Sequence, residues 1–443
     1  MTTLYNPLRV EKHFGNYSKY VSELISYYSN LSQKFKITNK DKYKVNSLLD
    51  GEASEALRNL VPSSVRKKHG LFFTPLKISR LIAHSISEEN ESNIRIYDPC
   101  MGSGDLLLSC AKRIIKKGYS FDSNLEIIIN KIRGIDLYEP FVDFAKLRFI
   151  LLAAKLSEDY KSLEDYKKLI KKLKNFKTGN SLTIPLKFSK NDFIIVNPPY
   201  FQTNSSGNYS WTKGKTQFAA IYIDELIKRA ERGTQLIAIL PDVLRSGTNY
   251  EKWRSHILRN CDLLKVKILG RFDEFTDVDV FLLHLEKNKN LKKNLVNFKR
   301  PKDIKTPKLD DLFDVKVGTV VPFRNKDSHK KQSFLTCKEA NWWSETVKFS
   351  KTRFDGNLFL PPFVAVRRTS SPSEKHRAYA TFVKGNKKIA VENHLIIITP
   401  KDGNADLCAK LLVKLKDKKT NKWLNEMIRC RHLTLEAIKS IPW

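Results

Sequence analysis

The chain has 443 residues and a formal net charge of +33, from 80 Lys and Arg against 47 Asp and Glu. That length excludes a peptide, a coiled coil or one small domain, and 41% hydrophobic with 11% aromatic residues excludes a disordered polyelectrolyte. So large a basic excess steers polyanions toward the surface, which makes nucleic acid the leading partner class and an anionic membrane the second.

Residues 1–65 carry helical spacing (Tyr20, Leu24, Ile25, Tyr28) and predict an N-terminal helical segment with no evident chemistry. From 66 to 286, short β-branched runs alternate with longer amphipathic ones. Strands are expected at Ile94–Tyr97, Ile132–Leu137, Asp192–Val196, Gln235–Leu240, Leu264–Leu269 and Val278–Leu285. Helices are expected at Leu76–Ser87, Asp105–Lys117, Pro140–Leu156, Gln217–Ala230 and Tyr250–Leu258. This predicts an α/β domain with a doubly wound, mostly parallel sheet. Residues 287–308 hold nine Lys or Arg against one acid, with two prolines, and read as a basic linker. Residues 309–443 have their own apolar runs and predict a second, α+β domain. Six cysteines without Cys-x-x-Cys spacing suggest neither a zinc site nor a disulfide framework, and no metal is expected. Without an apolar signal core or a run of about 18 apolar residues, a cytoplasmic, nucleoid-associated protein is expected rather than a membrane one.

The sharpest local signal is an apolar strand ending in Asn197-Pro198-Pro199-Tyr200. The prolines stiffen the turn and remove two N–H donors, leaving carbonyl acceptors without a competing donor. An exocyclic aromatic amine suits such a site, because its lone pair is delocalised into the ring and is a poor nucleophile. The Asn197 side-chain oxygen and the Pro198 carbonyl can accept its two hydrogens and favour a pyramidal nitrogen, while Tyr200 offers a face for stacking. A Pro-Pro turn that merely ends a strand is the plain alternative.

A second strand runs into Asp98-Pro99-Cys100-Met101-Gly102-Ser103-Gly104. Glycines admit a ligand close to the backbone, but the third glycine of a dinucleotide fingerprint is missing and Asp98 would repel a diphosphate. A cation fits better. Asp136-Leu137 ends the next strand with a carboxylate able to accept two ribose hydroxyls, so a positively charged nucleoside such as S-adenosyl-L-methionine satisfies both acids. A solvated strand-end acid is the simpler reading of Asp136 taken alone.

Gly70-Leu71-Phe72-Phe73-Thr74-Pro75, Asp98 to Gly104, Asp136, Gly179-Asn180-Ser181-Leu182 and Asn197 to Tyr200, in that order, resemble the gamma-class N6-adenine DNA methyltransferases. The resemblance implies that Thr74 and Asp98 hold the methionine end of the cofactor, Asp136 the ribose and Asn180 the adenine, with Cys100, Gly102, Gly104, Leu137 and Pro199 completing its site. Asn180 stands where the family often has Asp, which removes charge assistance from that hydrogen bond. The family also places an aromatic on the far face of the flipped base; Phe275 is the first choice here and Phe272 the alternative. In the second domain Arg367, Arg368, Lys375 and Arg377 surround Ser370-Ser371-Pro372-Ser373, with Trp342, Trp343 and Phe354 nearby in sequence, which suits phosphate contact and base-edge readout, a solvated charged face being the plain alternative; the resemblance implies a target-recognition domain here. The reading implies a monomer that methylates double-stranded DNA within a restriction-modification or phage-defence system, beside a cognate endonuclease. The same tetrapeptide also serves methylation of RNA, of cytosine N4 and of a protein glutamine, and a DNA-binding modification subunit that needs a specificity partner is a further alternative.

Overall fold

The computed structural model describes residues 13–30, 37–86, 94–115, 118–161, 163, 166–205, 209–288, 297–298, 306–322, 330–346 and 348–443. They form two compact units: 1–241 with 252–296, and 242–251 with 297–443.

Among its described residues the first unit begins with the helices α1 (Gly15–Ser29), α2 (Asn39–Asp50), α3 (Glu52–Leu60), α4 (Ser63–His69) and α5 (Leu76–Ala83). Tyr17, Val21, Leu24 and Tyr28 make one buried stripe along α1 at helical spacing. Thr38 and Asp41 cap α2 reciprocally, each side chain taking the other's backbone N–H. Then follow β1 (Arg95–Asp98), α6 (Asp105–Ile114), α7 (Phe121–Lys131), β2 (Ile132–Asp136), α8 (Glu139–Ser157), α9 (Tyr166–Lys172), β3 (Phe176–Thr178), β4 (Asp192–Val196), β5 (Gln202–Asn204), β6 (Lys215–Gln217), α10 (Phe218–Arg229) and β7 (Gln235–Pro241). After α11 (Asp242–Ser246) come α12 (Glu251–Asn260), β8 (Cys261–Arg271) and β9 (Asp279–Lys287).

The central sheet runs β3-β2-β1-β4-β7-β9-β8. Its first five strands are parallel, and β9 and β8 close it antiparallel. Every residue of β4 is buried, as a continuous Phe-Ile-Ile-Val run between two helical layers requires. The strand order reverses between β1 and β4, so the residues that follow Asp98 and Val196 flank the switch point at which open α/β sheets bind ligands. Arg148 of α8, buried, donates from Nε to the Leu48 carbonyl (2.7 Å) and from Nη1 to the Ser103 carbonyl (2.7 Å), and pairs with Asp105 (2.8 Å). It thereby ties the N-terminal helices to the glycine turn. Residues of 13–30 and 37–65 thus join the core of this unit, whereas sequence spacing set the N-terminal segment apart.

The doubly wound α/β class expected from the sequence is the observed one. Helices α7 and α9 and strand β3 were not anticipated; β3 is three residues long with Lys and Thr outward, and gives no apolar run. Residues 242–251 also depart from the expected continuous catalytic segment. Buried Asp242 and Arg245 pair at 2.6 Å, Arg245 donates to the Glu426 carbonyl (3.0 Å), and Asp242 accepts from the Arg429 N–H (3.0 Å).

The second unit contains α13 (Leu309–Leu312), β10 (Phe313–Val317), β11 (Lys331–Leu335), β12 (Ser350–Arg353), β13 (Phe363–Arg367), β14 (Ala380–Val383), β15 (Ala390–Val391), β16 (Leu395–Pro400), α14 (Ala405–Lys416), α15 (Lys418–Met427) and α16 (Leu435–Lys439). An antiparallel sheet β10-β16-β13-β14 carries helices that pack Leu411 and Ile438 into the same core as Val364, Val366 and Ile396 of the strands, and a smaller sheet runs β12-β11-β15. Most of the expected linker 287–308 lies outside the described residues. Among the described residues no helix is long and apolar enough to cross a membrane.

Candidate active site

The carboxyl ends of β1, β2 and β4 open on a cavity of about 360 Å³ in the first unit, within the size range of small-ligand sites. Asp98 closes β1 with a buried carboxylate that accepts the Cys100 N–H at 3.0 Å. Asp136 closes β2, accepting the Gly102 N–H (2.8 Å) and the Tyr138 N–H (3.1 Å). A Cβ on Gly102, whose φ is +54°, would come within 2.7 Å of the Phe73 ring, so only glycine lets the turn pass there. Burial pushes the protonation equilibria of both acids up: Asp98 well above the usual carboxylate range, helped by Asp136 and Asp105, and Asp136 to about 6 against its backbone N–H donors. Two desolvated acids at one cavity are held ionised by a nearby positive charge, which favours a cationic, phosphate-free occupant.

The Asn197 amide is fixed from the N-terminal side. Its Nδ2 donates to the Phe72 carbonyl and to Thr74 Oγ1, both at 3.1 Å. This docking requires Gly70, since a Cβ there would lie 2.4 Å from the Tyr200 nitrogen. With both amide hydrogens engaged, Oδ1 is left as the acceptor. It receives the Tyr200 hydroxyl at 2.5 Å, and that hydroxyl has a second acceptor in the Ile239 carbonyl at 3.1 Å. The Tyr200 ring stands edge-on to Phe272, 6.0 Å between centroids.

A family model described as N-6 DNA Methylase matches residues 49–370. The chain belongs to this family. It is 22% identical over 404 residues to "Modification methylase CviBIII" of Paramecium bursaria Chlorella virus NC1A, covering 85% of this chain and 94% of that protein. It is 25% identical over 239 residues to "Type II restriction enzyme and methyltransferase RM.BcgI" of Heyndrickxia coagulans, over 52% of this chain and 34% of the relative. Among solved structures, the Type IIL restriction-modification enzyme MmeI in complex with DNA shares the fold at 10% identity and a TM-score of 0.51, over 87% of this chain and 70% of that one.

In this N-6 DNA methylase, Thr74, Asp98, Cys100, Gly102, Asp136, Leu137, Asn180, Asn197 and Pro199 all line the cavity. Asn180 turns its Oδ1 onto the Leu182 N–H at 3.0 Å, an Asx turn that shapes the wall. The Cys100 thiol donates to the Asn197 carbonyl at 3.5 Å, and burial raises its pKa well above the ordinary value, so it stays protonated. Gly104 is a correction: it faces α8, where a Cβ would meet Ala145 and Phe149 at 3.3 Å, and its φ of +88° serves the start of α6. Of the two aromatic candidates, Phe272 is buried against Phe72 and Tyr200, whereas Phe275 is 58% exposed.

One wall escaped sequence reading. Phe218, Ile221, Tyr222 and Glu225 line the cavity from α10, and their spacing of three, four and seven residues puts them on one helical face. The Tyr222 hydroxyl lies 2.7 Å from the Pro99 carbonyl and 2.6 Å from Ser181 Oγ, joining the β1 turn to the segment after β3. Glu225 accepts the Tyr209 hydroxyl (3.1 Å), and buried Asp224 accepts the Trp211 indole N–H (3.2 Å), so α10 also holds Tyr209 and Trp211 of the segment after β4.

In the second unit Arg377 is a further correction. It is fully buried, and its guanidinium donates to the carbonyls of Ser370, Ile428 (3.2 Å) and Cys430 (2.8 Å), so it holds loops together and is not a phosphate contact. Arg367 pairs with Glu374 and lies over the Tyr379 ring at 4.6 Å. Arg368 donates to the Asn393 carbonyl at 3.4 Å, and Lys375 is exposed.

Proposed function

We propose that the chain transfers the methyl group of S-adenosyl-L-methionine to N6 of an adenine rotated out of duplex DNA, as the modification component of a restriction-modification system. The observation that carries this reading is the Asn197 amide: both hydrogens are taken by Phe72 and Thr74, so its oxygen is presented as an acceptor beside the two-acid cavity. S-adenosyl-L-methionine fits the donor set. Asp98 and Thr74 would hold the methionine end, Asp136 the ribose hydroxyls and Asn180 the adenine edge, and the bound cofactor supplies an electrophilic methyl on sulfur.

Asn197 Oδ1 and the Pro198 carbonyl accept the hydrogens of the target amine, turn its lone pair outward, and stabilise the positive charge that develops on nitrogen before the surplus proton leaves to solvent. The incoming amine displaces the Tyr200 hydroxyl from Oδ1; the Ile239 carbonyl, 3.1 Å away, is the acceptor to which that hydroxyl turns. The Tyr200 ring and exposed Phe275 supply the stacking that offsets the few kcal/mol of extruding a base. The second unit recognises the target, with Arg367, Arg368 and Lys375 as its phosphate contacts, and a separate endonuclease of the same specificity completes the system. The protein acts on DNA as a monomer. Digestion of DNA incubated with protein and cofactor, followed by mass spectrometry of the nucleosides, tests the reading: N6-methyl-2′-deoxyadenosine is expected, and N4-methyl-2′-deoxycytidine or an unmodified digest would overturn it.

A further inference from the structure

Phe275 is an exposed aromatic on the loop between β8 and β9, shaped by its own N–H donating to Asp273 Oδ1 at 2.9 Å. One face of its ring is already covered, because the Arg58 guanidinium carbon lies 4.7 Å from the ring centroid. Arg58 stands in the last turn of α3, and the next helix, α4, ends in Arg66, Lys67, Lys68 and His69. Lys67 and Lys68 are exposed. This helix is anchored to the catalytic corner. Arg66 Nε donates to the Val61 carbonyl (3.1 Å), the Leu71 N–H donates to the Arg66 carbonyl (2.9 Å), and Gly70 and Phe72 abut Tyr200 and Asn197. The cations therefore sit one short, rigid connection from the acceptor corner. Acids are interspersed: Glu55 on α3, with Asp273 and Glu274 on the facing loop. Asp273 acts on Arg66, where it partly opposes the lowering by burial and by the Arg58 charge.

Resting on the adenine methyltransfer reading, we propose that Arg58, Lys67 and Lys68 grip the DNA phosphates that flank the extruded nucleotide, and that Arg58 also fixes the Phe275 ring so that only its other face is open to the base. The N-terminal helical segment thereby becomes part of the DNA-binding surface. A lysine pair that only complements the α4 dipole would leave DNA affinity untouched.

The test uses the full chain, a mixed-sequence duplex for binding and long unmethylated duplex DNA as methyl acceptor. Each phosphate contact removed lowers the slope of log affinity against log salt by about 0.9. Lys67→Ala/Lys68→Ala therefore lowers it by about 1.8, which corresponds to about 30-fold weaker binding at about 0.15 M salt. Calorimetry with S-adenosyl-L-methionine gives the wild-type affinity and reports that the fold is intact. Arg58→Lys keeps the charge and the salt slope but loses the planar group over Phe275, so kcat falls with little change in KM for DNA; Arg58→Ala loses both. An unchanged slope in a double variant that still binds cofactor, or wild-type kcat in Arg58→Ala, overturns the proposal. Wild-type protein that shows these slopes but methylates no adenine would instead sink the functional reading and leave the phosphate grip standing.

Discussion

Tyr200→Phe isolates the contact that stands between Asn197 and an incoming amine. The Tyr200 hydroxyl occupies Asn197 Oδ1 at 2.5 Å and has the Ile239 carbonyl as an alternative acceptor at 3.1 Å. When the amine takes Oδ1, the hydroxyl exchanges one hydrogen bond for another, so base entry avoids the loss of about 1 kcal/mol that an orphaned hydroxyl would add. Removing the hydroxyl frees Oδ1 outright and keeps the ring. The expected change in kcat/KM for DNA is therefore within about fivefold of wild type. Tyr200→Ala removes the stacking face, worth about 1–3 kcal/mol per base, and kcat/KM falls by about 5- to 150-fold. Steady-state transfer of tritiated methyl to duplex DNA measures both. A Tyr200→Phe defect as deep as that of Tyr200→Ala would refute the exchange, because it would place the hydroxyl in the chemistry itself.

Two further outcomes follow from the buried charges. Burial raises Asp136 to about 6 from an ordinary 3.8, and Asp98 rises too, so without cofactor the folded chain holds these protons more tightly than the unfolded one. The contribution of Asp136 to stability is present at low pH and is lost as pH rises from about 4 to about 6, and that of Asp98 is lost in the same direction. A cationic cofactor needs the ionised acids, so its affinity increases as pH rises through about 6, and calorimetric constants that match on either side of that pH would contradict the assignment. Arg377→Ala removes a buried cation and leaves the Ser370, Ile428 and Cys430 carbonyls without it, lowering stability by roughly 3 kcal/mol with no change in the salt slope of DNA binding. A reduced slope in chemical-denaturation-verified folded protein would return Arg377 to the surface role.

The candidate site residues were legible wherever a strand ends in a chemically unusual group. Asp98, Asp136 and Asn197 each close a parallel strand, and the topology brings strand ends to one edge. Gly70 to Thr74 could be matched as a motif, but its physical role, taking the Asn197 amide hydrogens, needs contacts more than 120 positions apart. Arg377 misled because a basic residue in a basic stretch looks solvated until the loops around it close. Gly104 misled because a glycine serves helix packing as readily as ligand approach. The α10 wall was readable from its spacing, yet its apolar members look the same as core until the cavity is seen. Residues 242–251 could not be placed from sequence, since Asp242 and Arg245 find partners at 426 and 429.

Asn197, with both amide hydrogens engaged, presents an oriented acceptor to a target amine. Asn197→Ala tests it directly, measured as methyl transfer to DNA alongside cofactor and DNA affinity in the same preparation. Transfer is expected to fall by at least about 100-fold with both affinities near wild type. Transfer at the wild-type rate would contradict it.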